Sequence, residues 1–174
     1  MRRITLLLFC LMTFFACRTA QSLHTIEQLD VKKYCGTWYE IARFTHRFEK
    51  GLECVSATYT LLPNGKIEVL NQGRKASNWS QIKKAKGIAW IPNPQRQGQL
   101  KVQFFWPFKG NYWIIELDPD YHCALIGDAS RNYLWILSRN KTLDISAYNR
   151  LVKIASRDGF DIRKLDKVRQ DCPF

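Results

Sequence analysis

Apolar and polar residues alternate in short runs through most of the chain. Gly36 leads into Trp38-Tyr39-Glu40-Ile41-Ala42-Arg43. A period of two places Trp38, Glu40 and Ala42 on one face of a predicted strand and Tyr39, Ile41 and Arg43 on the other. Gly36 supplies the tight backbone entry. A large ring at the start of a strand needs a floor to stand on, so Trp38 is expected to close one end of a barrel. Val55, Ala57, Tyr59 and Leu61 alternate with Ser56, Thr58 and Thr60. Pro63-Asn64-Gly65 turns the chain into Ile67, Val69 and Asn71. Gly73 to Gln81 is polar and reads as a loop. Lys84 to Ile91 is the next strand, with Ala85, Gly87 and Ala89 on one face.

After a turn at Pro92-Asn93-Pro94 and Gly98, Leu100, Val102, Phe104 and Trp106 alternate with Lys101, Gln103 and Phe105. Pro107 and Gly110 mark another turn. Tyr112 to Leu117 is apolar on both faces except for Glu116. Asp118-Pro119-Asp120-Tyr121 turns the chain towards Ala124 to Gly127, and Tyr133 to Ser138 is the last strong strand. Eight strands in near-even spacing leave no long crossover for parallel pairing. They predict an all-β fold, an eight-stranded antiparallel up-and-down barrel, which has no free edges and can hold one small ligand. After Asn140 the period changes. Thr142 or Asp144 can cap a helix whose Tyr148, Leu151, Val152 and Ala155 share a face, and Gly159 followed by Phe160 ends it. This single C-terminal α-helix is expected to pack outside the barrel.

The N-terminus adds a destination. Arg2 and Arg3 precede an apolar run from Ile4 to Ala16, too short to span a bilayer comfortably and suited to a signal peptide. Residues 1–22 are assigned to that signal and 23–174 to the folded domain. Phe14-Phe15-Ala16-Cys17 resembles a bacterial lipoprotein cleavage site, with Phe14 where leucine is usual; cleavage before Cys17 would leave that cysteine to be acylated. Ala20-Gln21-Ser22 is the competing site and would release a soluble periplasmic or secreted protein. Arg18 follows Cys17, and by the same resemblance the absence of aspartate there implies the outer membrane.

Charge and cysteines narrow the picture further. The formal net charge is +12, and loss of Arg2 and Arg3 leaves about +10. That balance admits nucleic acid, an anionic membrane surface or acidic ligands as partners. The lysines and arginines are mostly scattered singly, and the densest cluster is Lys83-Lys84-Ala85-Lys86. Nucleic-acid binding needs exposed aromatics interleaved with lysine, whereas most aromatics here fall on the inward phase, so no nucleic-acid partner is expected. Cys10 lies in the signal, and Cys17 is acylated or removed. Cys35, Cys54, Cys123 and Cys172 remain, and in an exported chain they predict two disulfides with three pairings open. No two of them have metal-ligand spacing, so no metal site is assigned.

Gly36-x-Trp38, the Asp118-x-x-Tyr121 turn and Arg139 at the end of the eighth strand, set in this meander, resemble the lipocalin family over roughly Leu29 to Cys172. Gly36 to Arg43, Tyr133 to Arg139, Phe48-Glu49-x-Gly51-Leu52 and Leu100-Lys101-Val102-x-Phe104-Phe105 resemble its bacterial outer-membrane members. The Asp-Pro-Asp-Tyr turn departs from the family's frequent Thr-Asp-Tyr. The resemblance implies that Arg139 packs over Trp38 and, with Gly36, forms the barrel floor. A guanidinium on an indole face, its fork of donors meeting backbone carbonyls, is chemically suited to that role. Gly51-Leu52-Glu53-Cys54 and Gln170-Asp171-Cys172-Pro173 resemble the apolipoprotein D group of the family. This implies a Cys54–Cys172 bridge and leaves Cys35 with Cys123.

No histidine stands at nucleophile–base spacing from a serine or cysteine, apart from the neighbours His122 and Cys123, so no catalytic residue and no cofactor is assigned. A lipocalin-fold enzyme acting on a lipophilic substrate is the alternative reading. By alternation, Ala57, Tyr59, Val69, Ala89, Val102, Phe104, Ile115 and Trp135 are the candidate walls of a ligand pocket. Glu40, on the face assigned to the interior, is expected to be satisfied structurally. The resemblance implies a fatty acid or lysophospholipid as ligand, carried or stored for envelope-lipid maintenance, with a membrane partner through a lipid anchor if Cys17 is acylated.

Overall fold

The computed structural model describes residues 22–173; the signal segment, with Cys17, lies outside them. Eight strands form the barrel: β1 (Gly36–Phe44), β2 (Leu52–Leu61), β3 (Ile67–Lys75), β4 (Asn78–Trp90), β5 (Gln99–Phe105), β6 (Phe108–Leu117), β7 (Cys123–Gly127) and β8 (Leu134–Ser138). Each pairs antiparallel with the next, and β1 closes the ring by pairing with both β2 and β8. A short helix, α1 (Val31–Tyr34), precedes β1, and Asp30 caps it by accepting hydrogen bonds from the Lys32 and Lys33 amides. Helix α2 (Ile145–Arg157) follows β8.

Strand direction sets two ends. Leu62 to Lys66, Ile91 to Gly98 and Asp118 to His122 turn the chain at the end where β1 begins. Thr45 to Gly51, Ala76–Ser77, Trp106–Pro107 and Asp128 to Tyr133 turn it at the other end, the mouth. The segment expected to be a loop, Gly73 to Gln81, is instead the mouth end of the β3–β4 hairpin, paired from Gly73↔Lys83 to Lys75↔Asn78. The ladder there projects past the core, so both faces are wet and no alternation of hydrophobicity marks it.

Two cores result. One lies inside the barrel and includes Trp38, Tyr59, Val69, Leu100, Ile114, Ile126 and Leu137. The other lies between the outer wall and α2, where Leu151 and Ala155 meet Leu125, Leu134 and Ile136. Asp144 caps α2 by accepting from the Ser146 and Ala147 amides. At its far end Gly159 has φ +87°, and the Phe160 amide returns to the Ala155 carbonyl at 3.0 Å. Phe160 then packs edge-on against Phe44.

β1 and β2 pair only from Gly36↔Tyr59 to Tyr39↔Ser56 and then separate. The tail fills the gap. A short strand, β9 (Leu165–Lys167), pairs with β1 beyond the separation. The Gln170 side-chain amide bridges the Glu40 and Val55 carbonyls at 2.7 and 2.9 Å, and Cys172 is bonded to Cys54. The expected partner bridge does not form: Cys35 and Cys123 are free thiols. Both stand at the same end of the barrel, but Cys35 precedes the Gly36↔Tyr59 pairing, whereas Cys123 lies across β8 from β1, opposite Ser138. Cys123 faces outward, with its sulfur 3.8 Å from Arg150 Nη2 on α2. In denaturant without reductant, an alkylating reagent is expected to label Cys35 and Cys123, and to label Cys54 and Cys172 only after reduction. Peptide masses check this, and protection of Cys35 and Cys123 would restore the second bridge.

Candidate functional site

The closed end is built on Trp38, which is fully buried. Its indole nitrogen donates to the Tyr34 carbonyl at 2.8 Å, and the Arg139 guanidinium lies 4.0 Å from its ring centre. Arg139 donates from Nη1 to the Thr37 carbonyl, from Nη2 to those of Lys33, Tyr34 and Cys35, and from Nε to that of Tyr121. One side chain thereby ties the end of β8 to α1, the start of β1 and the β6–β7 turn. Gly36, at φ +100°, passes close beneath it: a methyl there would stand 3.1 Å from Nη1. Gly36, Trp38 and Arg139 therefore come together at the floor.

Above the floor, Ala57, Tyr59, Val69, Ala89, Val102, Phe104 and Trp135 face the barrel interior. Ile115 does not. It packs outside, under α2, and its neighbour Ile114 takes the inward position. β6 is buried on both faces at this level, so no polar residue marks its phase. The small inward residues of β4 leave room for neighbours, and the Phe104 ring packs directly over Gly87. Depth is graded. Trp38, Ile114 and Leu137 are sealed, whereas Val102, Phe104 and Trp135, though inward-facing, remain half-exposed. Solvent thus reaches the upper lumen through the mouth. A separate groove of about 670 Å³, lined by Phe44, His46, Tyr133 and Asp166 among others, lies beside the mouth.

Polar groups sit at two levels of the lumen. Near the floor the Tyr34, Tyr59 and Tyr112 hydroxyls form a chain, with Tyr112 Oη 2.6 Å from Tyr34 Oη and 2.8 Å from Tyr59 Oη. Burial pushes all three phenols above their usual range. Nearer the mouth, Glu40 and Arg43 form a buried ion pair at 3.0 Å. Alternation had put them on opposite faces. The β1–β8 register shifts between Glu40 and Ala42, which turns Ile41 and Ala42 both outward and returns Arg43 to the interior. Glu40 is therefore satisfied structurally, by a partner that the strict period had excluded.

Arg43 Nη2 also donates to the Glu49 and Leu52 carbonyls, and the Trp135 indole donates to Glu49 Oε1 at 3.2 Å. Among the described residues Arg43 Nε has no hydrogen-bond partner, and the Glu49 carboxyl hydrogen-bonds to Glu40. Glu49 belongs to a polar mouth loop, where nothing in the sequence distinguishes a buried carboxylate from a solvated one. Glu40 and Glu49 share one guanidinium. Burial first, then the charge of Glu40, pushes the Glu49 carboxyl up to about 8; burial also raises Glu40. Glu40 holds the salt bridge, so Glu49 holds the proton at neutral pH.

Residues 29–170 match the model of the lipocalin-like domain. The chain belongs to the lipocalin family. It is 44% identical over 147 residues to the outer membrane lipoprotein Blc of Escherichia coli, a match that covers 83% of this chain and 81% of that one. It is 36% identical over 155 residues to apolipoprotein D of Macaca fascicularis, covering 84% and 80%. Insecticyanin from Manduca sexta superposes with a TM-score of 0.67 at 20% identity, covering 84% and 83%, which shows the shared fold. Proteins of the lipocalin fold typically bind small lipophilic ligands inside the barrel.

In this lipocalin the floor and the mouth are expected to respond differently to substitution. Trp38→Ala should cost about 3–5 kcal/mol of stability, and Arg139→Ala less. The double variant should cost less than the sum, because each single change already removes the shared stack. Denaturant midpoints of the four proteins check this, and strict additivity would mean the stack contributes nothing.

Glu49 makes stability depend on pH. Its folded value lies above the ordinary carboxyl value of 4.5, so the folded state holds a proton that the unfolded state has lost. Its contribution is complete below about pH 4.5 and disappears as pH rises towards about 8, with a slope of at most about 1.4 kcal/mol per pH unit. Glu49→Gln should flatten the fall in unfolding free energy across this window, as denaturant titrations at several pH values would show.

Proposed function

We propose that the chain binds a fatty acid or a lysophospholipid in its lumen and carries or stores it for lipid maintenance at the cell envelope. The carrying observation is the order of polarity along the lumen. A sealed floor, whose three tyrosine hydroxyls satisfy one another, lies beneath apolar walls that are open to solvent, and a buried guanidinium–carboxyl group sits near the mouth. An amphiphile entering tail first meets these in matching order. Each buried methylene contributes about 0.8 kcal/mol, so a long acyl chain supports micromolar affinity after ordering costs. The half-exposed walls Val102, Phe104 and Trp135 would take the chain, and the charged cluster of Arg43, Glu40 and Glu49 beside Trp135 would face the head group.

The reading is of a carrier with no catalytic step. Among the described residues two thiols are free, but burial raises both above the ordinary thiol value, and Cys123 faces α2 outside the barrel. Neither is an activated nucleophile directed at a bound acyl chain. For location, we propose the outer membrane, with Cys17 as the acylated anchor residue. The relative named outer membrane lipoprotein supports this, as does the cleavage-site pattern.

A fluorescent fatty acid should bind with micromolar affinity and be displaced by lysophospholipid. Trp135→Ala should weaken that binding several-fold at a smaller cost in stability than Trp38→Ala. Absence of binding at micromolar concentrations would overturn the proposal. Unchanged affinity in Trp135→Ala would place the chain elsewhere in the barrel.

A further inference from the structure

The mouth is rimmed with exposed aromatics. At the tip of the β5–β6 hairpin, Phe105, Trp106 and Phe108 are 75%, 86% and 77% exposed. Across the opening, Phe48 in the β1–β2 loop is 65% exposed, and Tyr133 in the β7–β8 loop is also exposed. Three of the four mouth loops thus present aromatic rings outward from the same end of the barrel. The fourth, the β3–β4 turn, is flanked by Lys75, with Lys83 and Lys84 farther along β4. Large apolar side chains clustered in this way mark an interaction surface.

Charge at the same end selects the partner. The mouth loops contain Arg47, Lys50 and Arg131, and Lys109 stands beside the hairpin tip; Arg47, Lys50, Lys83, Lys84 and Lys109 are exposed. The acids of these loops, Glu49 and Asp128, are both buried. Asp128 accepts from the Ser130 hydroxyl and the Tyr133 amide. Asp166, on β9 nearby, is exposed and accepts from Thr45 Oγ1, and the exposed Lys164 lines the same groove. The rim therefore shows aromatic rings and positive charge, the combination that seats a protein at the headgroup level of an anionic bilayer.

We infer that the barrel docks mouth-down on anionic lipid bilayers, with the Phe105-Trp106-Pro107-Phe108 tip entering the interface and the basic rim residues meeting the headgroups. In this pose the lumen opens onto the lipid, and an amphiphile could pass between bilayer and barrel without crossing water. The docking stands on the rim alone; only this passage rests on the proposed lipid ligand.

The test uses the folded domain, residues 23–174, so that neither an acyl anchor nor the apolar signal run contributes. Vesicles of phosphatidylcholine with a quarter phosphatidylglycerol are compared with pure phosphatidylcholine by co-sedimentation, and quenching by brominated acyl chains reports insertion of Trp106. The chain is expected to partition onto the anionic vesicles and to be quenched there. Trp106→Ser with Phe108→Ser should weaken partitioning by about tenfold or more, and Arg47→Glu with Lys50→Glu should remove the preference for anionic lipid. Neither pair should change fluorescent fatty-acid affinity, which separates failure of docking from failure of the ligand assignment. No partitioning, or partitioning unchanged by the hairpin substitutions, would overturn the inference. So would a concentration-dependent dimer abolished by those substitutions, which would assign the rim to a second copy of the chain.

Discussion

The stack of Arg139 on Trp38 is the contact on which the barrel's polarity depends. A closed sheet has two ends, and nothing in its ladder makes them different. Here one guanidinium, held over an indole and donating to five carbonyls from three segments, seals one of them. The carbonyls of α1 need these donors, because a helix of one turn leaves its last acceptors without partners of its own. The stack, the short helix and the left-handed Gly36 are thus one device. Because it blocks this end, entry to the lumen is confined to the other.

The seam between β1 and β2 is the second constraint. The two strands separate half-way up, which would leave backbone groups without partners in a buried place. The tail supplies those partners: β9 extends the β1 ladder, Val168 donates to the Ile41 carbonyl, and the Gln170 amide spans the gap. The Cys54–Cys172 bridge holds this tail against β2 across a sequence separation of 118 residues. By limiting the unfolded chain, such a bridge contributes on the order of 4 kcal/mol.

Inside the lumen, a phenol chain lies towards the floor and a charged cluster towards the mouth. Burying Glu40, Arg43 and Glu49 is costly, and their mutual bonds offset that cost only in part, since Arg43 Nε has no partner among the described residues. An apolar group of the same shape would be more stable at that position. A head-group site is a physical reason to retain the polar one.

The sequence by itself determined the eight barrel strands, their antiparallel meander, the C-terminal helix with its Asp144 cap and Gly159 stop, and the floor residues. Each of these depends on a local rule: period two, period 3.6, turn chemistry, or a short motif carried by resemblance. Tertiary structure decided whatever depended on a shift of register or on both faces being covered. The irregularity in β1 reversed Arg43, because one extra residue inverts every side chain beyond it and leaves no trace in composition. Ile115 went to the outer core, because a strand buried on both faces carries no polar phase. Cys35 and Cys123 stayed apart because pairing needs proximity in three dimensions, and sharing one end of a barrel does not provide it. Burial of Glu49 depended on where a mouth loop folded back, which only the closed barrel fixes.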